Sequence, residues 1–420
     1  MEAMMTLDEA REMLRAAART LPPRTCRLSE AHGLVLAAPA RADVDMPTAD
    51  LSAMDGYAFA WTDDVLEKAL PVSIECAAGV PPLKLPEGSA ARIFTGAAVP
   101  IGADTVVPQE DAQPDGRGGV RFNAASAGRH IRRRAEVFAE GDPLLEAGER
   151  INADRAALLA GAGAVDLEIY PRPRIAVMLT GSELVAPEQK PQPGQTRNTN
   201  GSLFAALACE AGVEVTGLRQ VGDDEDDLRK TLVESLESSD LVVSSGGVSV
   251  GDYDLLPQVI SAIGGEILFH KIRVKPGKPT LFARVGEKWL ASLPGNPLAC
   301  TMGWRMFVRP LIEALAGDDR AFFEDPMSAE ISEECRNRGD RRVLQPATVS
   351  HESSGARIAA IRWKGSHDLL SISRADALLD LAPGACYASG DRAPYFPLDW
   401  ARRRLLRPER ARLASKESAR

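Results

Sequence analysis

The second half of the chain alternates short, wholly apolar runs with helical patterns, and this rhythm restricts the fold more than any other feature. The predicted buried strands are Arg174 to Leu179, which is apolar after its first residue, and residues 241–243. Apolar residues with helical spacing follow at about 201–211, 228–236 and 298–315, the last predicted as one long amphipathic helix. Strands that are apolar on both faces need helices over both faces of their sheet. The sequence therefore predicts an α/β domain with a mostly parallel sheet.

The remaining segments divide by changes in pattern, and the whole predicts a multi-domain α/β plus β fold. Short extended runs broken by Pro and Gly occupy about residues 44–145, which is typical of a β-rich insertion. Thr6 and Glu9 form a capping box for a first helix, and Asn152 caps a second. Short strands and turns at 328–400 are enough for a small β-barrel. The expected domains are 1–42 with 140–171, 43–139, 172–320 and 325–402, followed by a basic tail at 403–420.

Composition and charge exclude several classes of protein. A net charge of −9 argues against a nucleic-acid-binding protein. The cysteines lack CxxC spacing and the histidines are dispersed, so neither a disulfide framework nor a metal centre built from these residues is expected. No leader segment is visible, and no apolar stretch approaches the ~20 residues that span a bilayer. We therefore expect a cytoplasmic protein without nucleic-acid or membrane partners.

A glycine-rich motif follows the apolar run at 241–243. Paired glycines allow backbone N–H groups to face an anion at the carboxyl end of a strand, although a tight turn would explain them equally well. Asp252 and Asp254 come next, and carboxylates beside a phosphate need an intervening cation such as Mg²⁺. Helix capping is the alternative for Asp252. The candidate ligand residues here are Ser245, Gly246, Gly247 and Ser249.

An acidic protein that binds an anion has to concentrate positive charge locally, and this chain does so at 132–134 and 270–278. In the second segment, strand alternation places Lys271, Arg273 and Lys275 on one face, and a Pro-Gly turn returns Lys278. A solvated edge strand is the alternative explanation. Four further turns contain candidate site residues, although each turn, taken alone, is explained equally well as an ordinary structural turn. The residues are Asp55, Thr95, Glu183 and the run Pro294, Gly295 and Asn296.

Taken in order, these segments resemble one family. The motifs SAMDGYA, RIFTGAAVP, HIRRRAE, LTGSEL, SSGGVSVGDYD, KPGKP and LPGNP are similar to those of the molybdopterin molybdenumtransferases, which include the gephyrin E domain. The resemblance runs from about Leu7 to Asp391. It implies a transferase that inserts molybdenum from molybdate into adenylylated molybdopterin, with Mg²⁺-dependent release of AMP. It also implies a homodimer of elongated four-domain subunits, whose active cleft is shared between the α/β molybdopterin-binding domain of one subunit and the insertion domain of the other.

The resemblance assigns roles to individual residues. The implied catalytic residues are Asp55, Thr95, Glu183, Asp223, Asp254, Lys275 and Lys278, of which Asp254 and Glu183 would hold the metal. The implied ligand-binding residues are Ser245, Gly246, Gly247, Ser249, Pro294, Gly295, Asn296 and Ser366. Transient contacts with a molybdopterin adenylyltransferase and with recipient molybdoenzymes are expected as well. Electrostatic stabilisation of anions, rather than a covalent nucleophile, is the expected mechanism.

Two departures from the family pattern keep alternatives open. The family's Gly-Glu-Asp after the arginines is here Ala135-Glu136-Val137, which loses an acidic position. The family's Phe-Leu-Arg is here Val343-Leu344-Gln345, which loses an arginine unless Arg341 or Arg342 substitutes for it. One alternative is therefore a non-catalytic carrier or scaffold that binds molybdopterin. The other is a molybdopterin adenylyltransferase, which the additional β domains disfavour.

Overall fold

The computed structural model describes residues 4–222, 224–247, 255–323, 326–353 and 355–398. The chain forms two compact units: a smaller unit, Pro23–Ile169, and a larger unit, Met1–Pro22 with Tyr170–Arg420. Every helix in the described ranges is too short or too polar to cross a lipid bilayer. The four-domain division expected from the sequence remains a prediction.

The first helix, α1 (Leu7–Ala17), has the predicted capping box. The Thr6 hydroxyl accepts a hydrogen bond from the Glu9 N–H at 3.2 Å, and the Glu9 carboxylate accepts one from the Thr6 N–H at 2.8 Å. Leu7 and Leu14 are buried in the core of the larger unit. The amino-terminal residues therefore complete the core of an α/β structure that begins some 150 residues later in the chain.

The smaller unit is rich in short strands, as the sequence predicts. Its main sheet has six strands in the order β8-β5-β7-β6-β10-β9, and a second sheet has the order β1-β13-β2. The Asn152 side chain caps α2 by accepting a hydrogen bond from the Arg155 N–H at 2.9 Å. The helix α2 is Ala153–Gly161. The strands β1–β13 are Arg24–Arg27, Val35–Leu36, Ala40–Arg41, Leu51–Ser52, Gly56–Phe59, Leu70–Cys76, Ala90–Ile93, Thr105–Pro108, Ala112–Pro114, Gly119–Phe122, Ile131–Arg132, Pro143–Leu145 and Asp166–Tyr170.

The larger unit contains the predicted α/β sheet, ordered β17-β14-β18-β22-β21-β19. The first four strands are parallel, and β21 and β19 are antiparallel additions at one side. Every residue of β14 and β18 is buried, which explains their wholly apolar or small sequences. The strands β14–β22 are Ile175–Thr180, Leu184–Val185, Thr196–Arg197, Val215–Val221, Leu241–Ser245, Glu266–His270, Val274–Lys275, Leu281–Val285 and Lys288–Leu293. The helices α3–α7 are Thr199–Ala211, Glu225–Ser238, Leu256–Ala262, Pro297–Gly303 and Arg309–Leu315.

The last helical segment of this sheet domain differs from its prediction. The sequence predicts one amphipathic helix over 298–315, whereas α6 and α7 are joined by a π-helical turn, Trp304–Val308, and the segment is buried on all sides except at Arg305. Contacts with α1 and α3 cover the faces that the sheet leaves open. The buried charges of Arg309 and Glu313 lie in an ion pair at 2.5 Å, because unpaired charges inside a core are costly.

The carboxyl-terminal part of the described chain is the predicted small barrel. Five strands close on themselves in the order β25-β26-β23-β29-β27, and β27 pairs back with β25. The short strand β20 from the sheet domain runs parallel to β25 at its edge. The strands β23–β29 are Met327–Ile331, Cys335–Arg336, Arg342–Glu352, Gly355–Ala360, Ala377–Leu381, Cys386–Tyr387 and Arg392–Pro397, and α8 is Leu369–Ser373. The multi-domain α/β plus β fold is thereby confirmed.

One backbone conformation in the smaller unit generates a prediction. Ala135 has φ +59°, a left-handed conformation that strains an L side chain but suits glycine. Ala135→Gly is therefore expected to raise the free energy of unfolding by about 0.5–1 kcal/mol, measured by urea unfolding followed by circular dichroism. Ala139 is equally half-buried and lacks a positive φ, so Ala139→Gly is the matched control and should destabilise. Destabilisation by both changes would contradict the strain at residue 135.

Candidate functional site

Four parallel strands of the larger unit end side by side at one edge of the sheet. Their last residues, Thr180, Val221, Ser245 and Leu293, are neighbours in register or offset by one residue. The chain leaves β14 toward β17 on one side and returns to β18 on the other, so the connections reverse direction between β14 and β18. Ligands of open α/β sheets bind at such a reversal, outside the carboxyl ends of the strands.

A close backbone approach marks this reversal. Gly246 has φ +89°, and a Cβ atom there would lie 2.5 Å from Thr180 Oγ1 and 2.7 Å from the Thr180 carbonyl oxygen. The Gly246 N–H donates to the Leu293 carbonyl at 3.0 Å and so connects β18 to the end of β22. Only glycine fits this contact. Gly247 follows with φ +69°.

Three predicted site residues, Asp223, Ser249 and Asp254, lie outside the described residues. Each follows a strand end in sequence, Asp223 after β17 and the other two after β18.

Glu183 follows the end of β14. Its carboxylate folds back over Gly181, where a Cβ would lie 2.6 Å from Glu183 Oε2, and its side chain is exposed. The described parts of the chain contain no cluster of three or more His, Cys, Asp or Glu that could hold a metal ion. Of the two implied metal ligands, Glu183 is described and Asp254 is not.

Asn200 was missed by the sequence reasoning and lies between two predicted ligand segments. Its Nδ2 donates to Ser245 Oγ and to the Gly295 carbonyl, both at 2.7 Å. A sequence signal for it exists in hindsight. Asn198 caps α3 by accepting from the Gly201 N–H at 2.9 Å, so a second asparagine two residues later has no capping role to explain it.

Cys300 belongs to the same buried region. Its Sγ donates to the Pro294 carbonyl at 2.8 Å and lies 3.5 Å from Ser245 Oγ. Burial raises the pKa of the Cys300 thiol to about 12, so the thiolate that a nucleophile requires is not formed near neutral pH.

The lysine segment alternates as predicted. Ile272 and Val274 are buried, whereas Arg273 and Lys275 are exposed and Lys271 is half-buried. The turn after Lys275 packs tightly on α6, since a Cβ on Gly277 would lie 2.0 Å from Met302 Cε.

The barrel brings its own candidate residue to α6. Lys275 Nζ lies 5.7 Å from the centroid of the Trp363 ring. Three residues after this tryptophan, the Ser366 carbonyl accepts a hydrogen bond from the Leu298 N–H at 3.1 Å. Ser366, Lys275 and the Pro294–Asn296 turn are therefore all held around the first turns of α6.

Arg342 cannot substitute for an arginine at position 345. It donates to both carboxylate oxygens of Asp380, at 2.6 and 2.5 Å, and to Asp8 at 2.9 Å. Burial opposes its charge, but these carboxylates outweigh burial and raise the pKa of Arg342. Gln345 itself donates to the Ile361 carbonyl at 3.1 Å. Within the described chain the Arg341 guanidinium has no hydrogen-bond or ion-pair partner, so Arg341 stays available.

In the smaller unit the structure brings Asp55 and Thr95 together. Asp55 Oδ1 accepts hydrogen bonds from the backbone N–H and from the hydroxyl of Thr95, each at 2.7 Å. These two bonds, in that order, and the charge of Arg92 lower the pKa of the Asp55 carboxyl. Gly56 is required beside them, because a Cβ there would lie 1.9 Å from the Val107 carbonyl oxygen. Asp55 therefore presents an exposed, ionised carboxylate that Thr95 holds in a fixed orientation.

The arginine segment borders this pair. Strand β11 pairs with β4, and the Ala53 N–H donates to the His130 carbonyl at 2.9 Å. Two of the three arginines are neutralised by carboxylates, Arg133 by Asp50 at 2.6 Å and Arg134 by Asp45 at 2.5 Å. Among the residues that the structure describes, the exposed Arg132 side chain has no such partner.

Val137 stands where the family pattern has an acidic residue, and its burial does not explain the valine. Its side chain is 64% exposed, and only its backbone takes part in the fold, through an N–H···O bond to Met46 at 3.0 Å.

Three stretches of the chain match known protein families. Residues 5–163 match the MoeA N-terminal region (domain I and II), residues 176–314 the probable molybdopterin binding domain, and residues 328–398 the MoeA C-terminal region (domain IV). The matched stretches contain every candidate residue named above.

Relatives and a solved structure agree with these matches. The chain is 32% identical over 379 residues to the molybdopterin molybdenumtransferase of Nostoc sp., covering 86% of this chain and 85% of that protein. It is 34% identical over 368 residues to the molybdopterin molybdenumtransferase of Haemophilus influenzae, covering 87% and 91%. The crystal structure of a molybdopterin biosynthesis moeA protein from Pyrococcus horikosii superposes with a TM-score of 0.81 at 26% identity, over 94% of this chain and 100% of that one.

Proposed function

The chain belongs to the molybdopterin molybdenumtransferase family of molybdenum cofactor biosynthesis, and from that membership we propose that it transfers molybdenum from molybdate to adenylylated molybdopterin and releases AMP. One observation carries the proposal. Gly247, which follows the close contact at Gly246, and the turn Pro294–Asn296 stand at the reversal point of the sheet, where backbone N–H groups can receive the phosphates of an adenylylated ligand.

The basic side chains supply electrostatic stabilisation. Lys275 and Lys278 form no ion pair with a carboxylate within the described chain, so their charges are available to anions. As the phosphoanhydride breaks, negative charge accumulates on the departing phosphate, and fixed ammonium groups lower the energy of that state. We assign Lys275 and Lys278 this role, and Ser366 with the adjacent turn the role of orienting the ligand.

The acidic residues fit a hard divalent cation. Glu183 offers an exposed carboxylate just beyond β14, which is an oxygen ligand of the kind that Mg²⁺ binds, and Asp254 is the second ligand implied by the family resemblance. When bound, Mg²⁺ would compensate charge on the phosphate oxygens. Asp223 is a further catalytic residue that the family resemblance implies.

The proposal extends to the assembly. Asp55 and Thr95 form a separate polar pair in the smaller unit, and the family resemblance assigns both to the same reaction. We propose a homodimer in which this pair of one subunit serves the strand-edge site of the other. A cytoplasmic location and transient contacts with a molybdopterin adenylyltransferase and with recipient molybdoenzymes complete the proposal.

The direct test is release of AMP. The purified full chain, incubated with adenylylated molybdopterin, molybdate and Mg²⁺, is expected to release AMP and to form molybdenum cofactor that activates an apo-molybdoenzyme. Chelation of Mg²⁺ by EDTA should abolish release, and excess Mg²⁺ should restore it. Tight binding without release would instead identify a carrier. Consumption of ATP with free molybdopterin would identify an adenylyltransferase.

Subunit complementation tests the shared site. Asp55→Ala and Lys275→Ala proteins, each inactive alone, should regain activity when mixed and exchanged, because a hybrid dimer has one site free of both changes. By two-fold symmetry at most about half of a hybrid's sites recover. Each variant mixed with itself under the same exchange conditions is the control. Hybrids as inactive as their parents would show that each subunit builds its own site.

Replacing Gln345 by arginine tests whether the missing charge weakens molybdate binding. A charged donor contributes about 1.5–3 kcal/mol to an anion contact where a neutral donor contributes about 1 kcal/mol. Gln345→Arg should therefore lower the molybdate concentration for half-maximal turnover about tenfold, while the affinity for adenylylated molybdopterin stays nearly unchanged. Thr348→Arg, which adds the same charge at an exposed position of β25, should leave both values unchanged.

Arg341 provides the decisive comparison for that measurement. If its guanidinium already serves molybdate, Gln345→Arg will change nothing and Arg341→Ala will raise the molybdate requirement. That pair of results would contradict a role for position 345.

A further inference from the structure

Asn200 carries an unsatisfied buried atom. The residue is only 8% exposed, and both described contacts use Nδ2. Oδ1 is buried and has no hydrogen-bond partner among the residues that the structure describes. The orientation of the amide follows from its partners. The Gly295 carbonyl can only accept, so the nitrogen must face it, and the opposite orientation would bring two oxygen atoms together.

An unsatisfied acceptor in a core is destabilising, and an apolar residue of the same shape would avoid it. The presence of asparagine here therefore needs a reason other than stability. Its two N–H donors are that reason, because they reach two different segments: the last residue of β18 through Ser245, and the loop after β22 through Gly295.

The sheet itself cannot make this connection. The ladder between β18 and β22 ends with the pair Ser245 and Leu293, and the Gly246 N–H to Leu293 bond is its last contact. The residue that follows β22 is Pro294, which has no N–H to donate. Beyond that point no further backbone hydrogen bond joins the two described segments, 246–247 and 294–296, and side-chain contacts connect them.

Cys300 supplies the second connection. Its thiol donates to the Pro294 carbonyl and contacts Ser245 Oγ, so Asn200, Ser245 and Cys300 form one buried network beneath both loops. A thiol is a weak donor, which leaves the amide as the stronger part of the network.

We propose that Asn200 is a positioning residue that fixes the distance between the Ser245–Gly247 segment and the Pro294–Asn296 turn, and thereby the shape of the molybdopterin site. The proposal rests on the proposed function, because it assumes that both segments contact the ligand. Asn200 acts through Ser245 and Gly295.

Two variants separate the donors from the acceptor. Asn200→Leu removes all polar atoms at similar size, and Asn200→Asp at pH 8 keeps the oxygens but has no N–H to donate. Both should weaken molybdopterin binding about tenfold in calorimetry. Both should also raise KM for adenylylated molybdopterin more than they lower kcat. Asn198→Ala, which removes the cap of the same helix, is the matched control and should change melting temperature without a comparable loss of affinity.

Hydrogen exchange makes the inference independent of catalysis. Backbone amides at 241–247 and 293–297 should exchange faster in both Asn200 variants than in the wild type, and in Asn198→Ala they should not. Unchanged exchange at these amides would overturn the positioning role, as would a loss of affinity confined to Asn200→Leu. If the wild-type chain binds no molybdopterin, the proposed function fails, while the exchange measurement still decides whether Asn200 holds the two loops.

Discussion

The contact between Gly246 and Thr180 is the constraint on which the larger unit depends. Two neighbouring parallel strands can end this close together only if one of them continues with a residue that lacks a side chain. The parallel strands end side by side at one edge of the sheet, so the loops that follow them all begin at that edge. The apolar core fixes where polar chemistry can occur, since the polar groups begin where the all-buried strands stop.

The buried segment formed by α6 and α7 turns that edge into a defined surface. Met302 packs against Gly277, the Leu298 N–H binds the Ser366 carbonyl, and Cys300 binds the Pro294 carbonyl. The turn that precedes α6 and two segments farther away in the sequence are thus held by one short stretch of helix. Because α1 and α3 also pack on it, this stretch is buried except at Pro297 and Arg305, and its close packing supports the loops.

Local signals predicted the local structure, and distant contacts account for what was missed. The caps at Thr6 and Asn152 and the alternation at 271–275 follow from residues a few positions apart, so the sequence was sufficient. The prediction that the helix at 298–315 has a solvent-exposed polar face was wrong, because α1, almost three hundred residues earlier, packs on part of its surface. Asn200 was missed for the same reason, since its partners are the last residue of β18 and a loop residue after β22, both distant in sequence. The pairing of Asp55 with Thr95 follows from strand pairing over 40 residues, and only the family motifs pointed to both.

Charge compensation distinguishes the basic residues that build the protein from those that can serve a ligand. Carboxylates neutralise the charges of Arg133, Arg134 and Arg342, so these arginines stabilise the fold and are not available to a ligand. Within the described residues, Lys275, Lys278 and Arg341 have no carboxylate partner. In a chain of net charge −9, cations without a carboxylate partner are available to an anionic ligand. Gln345 replaces an arginine of the family pattern and leaves the paired arginines intact, so its consequence should appear in anion affinity and not in folding.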